Sequence, residues 1–120
     1  MNKVLLIRAV KILQKTSYAL MVGAVSCTEE DVRKEMLSAA GSMNFTPGVQ
    51  SIINFLAHDS FDRELIINEL QAAKSLIVLH AHRLNISGLN VPTEKKINKL
   101  IFQINCEPET NNALINNKDW

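Results

Sequence analysis

The stretch Lys3-Val-Leu-Leu-Ile-Arg8-Ala-Val-Lys11-Ile-Leu-Gln-Lys15 decides how the rest of the chain is read. At 100° per residue, Leu5, Leu6, Ala9, Ile12 and Leu13 gather on one side of a helix. Lys3, Arg8, Lys11, Gln14 and Lys15 fall in the sector opposite. A strand would alternate every second residue, and this segment does not. The spacing predicts a helix over residues 3–24, loosened at its end by Gly23 and Ser26. No acid occurs before Glu29, so four cations share one stripe over roughly 18 Å of helix.

Working outward, the same period returns. Thr28-Glu-Glu-Asp31 joins a capping hydroxyl to acids that suit the positive end of a helix dipole. It predicts a helix over residues 29–40, with Val32, Met36, Leu37 and Ala40 inward and Gly41 as its C-cap. Thr46-Pro47 is a second start signal, for a helix over residues 47–57 that turns Val49, Ile52, Ile53 and Leu56 to the core. His58-Asp59-Ser60 ends it and supplies the next cap. Residues 61–86 form the longest and most apolar segment. Leu65, Ile66, Leu70, Ala73, Ile77 and Leu84 share a face that Ile67, Leu76, Val78 and Leu79 widen. Apolar residues nearly all round predict the central, buried helix. Pro92-Thr93-Glu94 opens a last helix, over residues 93–105, with Ile97, Leu100, Ile101 and Ile104 inward.

The expected architecture is all-α: a single-domain bundle of four to five helices over residues 1–105. Residues 106–120 form a polar, Asn-rich C-terminal tail, expected to be flexible or docked through Leu114, Ile115 or Trp120. A buried strand over residues 75–82 is the alternative for one segment, disfavoured by the helical period on both sides.

Composition agrees. The chain has 120 residues, 13 basic against 12 acidic, and a net charge of +1. With 47% hydrophobic and 21% charged residues it can close one core. That excludes disorder over most of the length, and it excludes polyanion binding by the whole surface while leaving room for a local patch. Two cysteines cannot form the framework of a disulfide-rich mini-protein. Every uncharged run is too short or too polar to span a bilayer. The apolar run before Ser26-Cys27 has the outline of an export signal, but Arg8, Lys11 and Lys15 break it. No membrane role and a cytoplasmic location, with reduced thiols, are expected.

Catalytic constellations are absent from the pattern. His80 and His82 would point about 200° apart on a helix and could not share an ion, so one is expected buried and the other on a wet edge. Cys27 and Cys106 have no metal-ligand spacing and read as ordinary cysteines. Gly41-Ser42-Met43 lacks the second glycine of a nucleophile elbow, and no phosphate-cradling glycine loop occurs. The acids Glu29, Glu30, Asp31 and Glu35 lie beside Arg33 and Lys34, as on a solvated helix face. The second and third expected helices would make a poor helix-turn-helix, because residues 49–57 contain no Lys or Arg to reach phosphates or guanine edges. Tyr18, Phe45, Phe55, Phe61 and Phe102 could stack on a ligand, but the phenylalanines are expected in the core. A non-enzymatic protein with no cofactor and no metal is the expectation.

What remains is charge. Lys3, Arg8, Lys11 and Lys15 form one basic stripe, and Lys95, Lys96 and Lys99 form a second cluster. The leading expectation is a small interaction module of the inhibitor, immunity, adaptor or regulator type. It would occupy a protein partner's surface through Lys3, Arg8, Lys11 and Lys15, with Trp120 as an anchor. A second copy of the chain is a candidate partner if the apolar 61–86 helix is not fully covered. The alternative is a nucleic-acid-binding regulator that uses the basic face of the first helix. That alternative strengthens if the two basic clusters lie side by side, which the sequence alone does not decide.

Overall fold

The computed structural model describes residues 2–44, 48–58, 60–86 and 90–108, and all regular structure among them is helical. In chain order the helices are α1 (Lys3–Val25), α2 (Glu30–Asn44), α3 (Val49–His58), α4 (Arg63–Leu79), α5 (Ala81–Ile86) and α6 (Glu94–Asn105). The all-α bundle is as expected. The segment read as a possible strand is the end of α4 and the start of α5.

Side-chain caps set three of the starts. Asn2 Oδ1 accepts the Val4 N–H at 2.9 Å and begins α1. Asp62 Oδ1 accepts the Leu65 N–H at 3.1 Å and begins α4, so the cap lies beyond the His58-Asp59-Ser60 group expected to supply it. Thr93 Oγ1 accepts the Lys96 N–H at 3.1 Å and begins α6, as the Pro92-Thr93-Glu94 signal predicts. The start signal at Thr46-Pro47 lies outside the described residues.

Three expectations need correction. First, α2 does not stop at Gly41 but continues to Asn44. The Asn44 amide donates to Ser17 Oγ at 2.7 Å, and Met43 is buried, so the last turn is tied to the core. The buried line of α2 is Met36, Ala40 and Met43, which leaves Leu37 exposed. On α3, likewise, Val49 and Ile52 are buried while Ile53 faces outward.

Second, the long apolar segment is not one helix. It breaks at His80, whose φ of −106° and ψ of 18° leave the α region. The His80 N–H still donates to the Leu76 carbonyl at 3.0 Å, and the Leu84 N–H to the His80 carbonyl at 3.0 Å. These two bonds bracket the turn, and Leu84 beyond it is buried in the core. Among common causes of a kink, neither Pro nor Gly is present here.

Third, the central helix is α1, which packs against every other helix. Its buried face is Leu5, Leu6, Ala9 and Leu13, as read from the sequence, and continues through Thr16, Ser17, Leu20, Gly23 and Ala24. Gly23 marks a close approach: a Cβ there would lie 3.0 Å from Met36 Cε and 3.2 Å from Leu84 Cδ2. By contrast, Val78 and Leu79 of α4 are exposed. α6 lies against both α4 and α1. Lys74 Nζ donates to Asn98 Oδ1 at 2.9 Å, and the Arg63 guanidinium donates to the Glu107 carbonyl. The Asn2 N–H donates to Glu107 Oε1 at 2.7 Å, which joins the start of α1 to the end of α6. That antiparallel pairing positions the site. No helix among the described residues is long and apolar enough to cross a membrane.

Candidate functional site

The flank where α1 and α6 run side by side forms an open trough of about 330 Å³. Arg8, Lys11 and Lys15 line it from α1, and Lys96 and Lys99 from α6. Ile12 and Leu100 supply an apolar floor, and Gln103 a neutral polar edge. Local sequence explains the placement. On α1, Arg8, Lys11 and Lys15 follow the i, i+3, i+7 spacing of one face. On α6, burial of Ile97, Leu100, Ile101 and Ile104 turns the flank bearing Lys96, Lys99 and Gln103 toward α1.

Five of the eight residues singled out from the sequence thus share one site. Lys3 and Lys95 are exposed on the same two helices but do not line the trough. Trp120 lies outside the described residues.

No carboxylate among the described residues lines the trough. Among the described residues, none of its five cations takes part in an ion pair. The acids are engaged or lie elsewhere: Arg83 pairs with Glu29 at 2.8 Å, and Lys34 with Glu30 at 3.6 Å. Several like charges around one open hollow repel each other weakly through water, by about 1 kcal/mol or less per pair. An arriving anion relieves that repulsion. On a chain whose net charge is only +1, this is a local concentration of positive potential rather than a global one.

Two aromatic side chains stand beside this surface. Phe102 is 68% exposed, a correction to its expected place in the core. It lines a second hollow of about 320 Å³ that shares Arg8 and Gln103 with the trough. The missed signal was in the helical wheel: Phe102 falls with Lys95 and Lys99, not with Ile97, Ile101 and Ile104. Tyr18, 57% exposed, continues the Lys11–Lys15 line by one turn. Phe55 and Phe61 pack against the core, as expected, and Phe45 lies outside the described residues.

The remaining chemistry is sparse. His80 is 2% exposed and His82 is on the surface, as the pattern predicted. Neither ring nitrogen of His80 has a hydrogen-bond partner among the described residues. Burial holds its pKa below the ordinary value; the nearby Arg83 charge pushes the same way, and Glu35 opposes. Cys27 is a buried free thiol and Cys106 an exposed one. Among the described residues no group of three or more His, Cys, Asp or Glu is placed to hold a metal ion. What the arrangement can do chemically is bind an anion.

Comparison with protein-family models, with curated proteins and with solved structures finds no match.

Proposed function

We propose that this chain is a non-enzymatic binding protein whose α1–α6 trough holds the phosphate backbone of a nucleic acid. The observation that supports it is the convergence of Arg8, Lys11, Lys15, Lys96 and Lys99 on one trough that, among the described residues, holds no carboxylate. The reading the sequence placed second therefore comes first. Four of the five cations are lysines. Lysine is depleted in protein–protein interfaces but serves phosphate well as a compact point charge. The reading assumes the reducing cytosol, where Cys27 and Cys106 remain thiols.

Salt titration of binding tests it. Five phosphate contacts give a slope of log affinity against log salt between about −3.5 and −4.5. Replacing Lys11, Lys15, Lys96 and Lys99 together with Gln should remove most of that slope and most of the affinity. Binding that ignores salt, or a quadruple variant that binds as the parent does, overturns the proposal.

A second reading keeps the chain as a protein-binding module that occupies a partner's surface. The adjacent exposed pair Val78 and Leu79, the latter 63% exposed, supports it. A discrete protein retained by the tagged chain after nuclease treatment, and lost on Leu79→Asp, would move this reading to the front.

A further inference from the structure

Nucleic acids present phosphate in two forms: two strands wound with their bases already stacked inside, or one strand with bases free to turn outward. The surroundings of the trough distinguish them.

Phe102 is an aromatic ring held in water on α6, where the helix could have kept a polar residue at no cost to the core. Its hollow adjoins the trough, since Arg8 and Gln103 border both. Leu5 forms part of the hollow's lining, and Asn2 places an amide there. Glu107 also lies at this hollow, its Oε1 taken by the Asn2 N–H at 2.7 Å. A carboxylate there disfavours phosphate. The two hollows thus differ in kind: the trough is cationic and suits a backbone, while its neighbour is aromatic and amide-bearing and suits a base. A base inside a duplex has no free face for Phe102. An unpaired base does, and stacking on an aromatic side chain combined with a basic track is how single strands are held.

We infer that the ligand of the α1–α6 trough is single-stranded nucleic acid, its phosphates among Arg8, Lys11, Lys15, Lys96 and Lys99 and an unpaired base stacked on Phe102. This rests on the trough being a phosphate site. The base contact is sequence-tolerant, since every base has a face to stack, and the Asn2 and Gln103 amides can at most bias it.

Fluorescence anisotropy with three labelled probes tests the inference: an oligothymidylate, an abasic strand of the same length and a hairpin duplex. Oligothymidylate should bind about tenfold more tightly than the abasic strand. Phe102→Ala should abolish that gap while leaving abasic binding, and the fold by circular dichroism, unchanged. Phe102→Trp, made with Trp120→Phe so that one indole remains, should restore the gap. Its fluorescence should also be quenched by oligothymidylate and not by the abasic strand. Equal binding of thymidylate and abasic strands, an unaffected Phe102→Ala, or tighter binding of the duplex overturns the single-strand inference and leaves the phosphate site standing. Failure of all three probes at low salt overturns the phosphate site and this inference with it.

Discussion

The face of α1 that meets α2 and the face that borders α6 belong to one helix and follow opposite rules. On the packed side, both buried hydroxyls are answered. The Ser17 hydroxyl donates to the Ala40 carbonyl at 2.8 Å and accepts from the Asn44 amide at 2.7 Å. Thr16 Oγ1, buried, donates back to the Ile12 carbonyl at 2.7 Å. Gly23 gives up a side chain so that Met36 and Leu84 can close on the backbone. Toward α6, the helix presents Arg8, Lys11 and Lys15 to water beside Ile12, opposite two further lysines and, among the described residues, no acid. A helix that needed only a solvated outer face could have carried acids among its bases, as α2 does with Glu30 and Lys34. The difference teaches that the first face serves the fold and the second is free to serve a ligand.

If that division holds, mutations on the two faces should separate. The largest effect belongs to the packed face. Leu20 is fully buried, and Leu20→Ala should cost about 2–5 kcal/mol in urea unfolding while leaving any nucleic-acid binding of the folded fraction intact. Loss of binding at the parent's stability would break the comparison.

An intermediate effect belongs to the α4–α5 break. His80 is buried neutral, with its pKa lowered by burial and by Arg83, and Glu35 opposing. Above the unfolded value of 6.5 both states are neutral and no stability is lost. As pH falls below that value, the unfolded chain takes up a proton that the fold resists, so stability declines down to the folded pKa. The slope from this one residue cannot exceed about 1.4 kcal/mol per pH unit. Urea midpoints across the acid range, compared with His80→Leu, check it; an unchanged slope in the variant would assign the pH dependence to other groups.

The smallest effect on stability belongs to the open face. Neutralising Lys11, Lys15, Lys96 and Lys99 to Gln should change it by no more than about 0.5 kcal/mol per substitution in either direction. A large loss would mean that the cations hold the helices together after all.

Much of the fold was legible in the sequence. The inward face of α6 and the first half of that of α1 follow directly from spacing, and the Thr93 cap lies where its signal sits. The break at His80 was not legible, because neither Pro nor Gly marks it. The rotation of Leu37 and Ile53 to the surface was hidden for a related reason: a broad apolar face does not say which of its edges the neighbour covers. Tertiary packing decided that α1, not the 61–86 segment, occupies the centre. For the site, the basic residues could be named one by one, but their meeting could not, since residues 8–15 and 96–99 are joined only by the antiparallel pairing of α1 and α6. Phe102 was misread by residue type when its position on the wheel already set it with the lysines.

The most direct test of the central claim is the salt dependence of oligonucleotide binding, measured by anisotropy for the parent chain and for the variant lacking Lys11, Lys15, Lys96 and Lys99. The account predicts a steep parent slope, about −3.5 for a single strand with five contacts, that flattens toward about −0.7 when only Arg8 remains. Parent and variant lines that superimpose would contradict it.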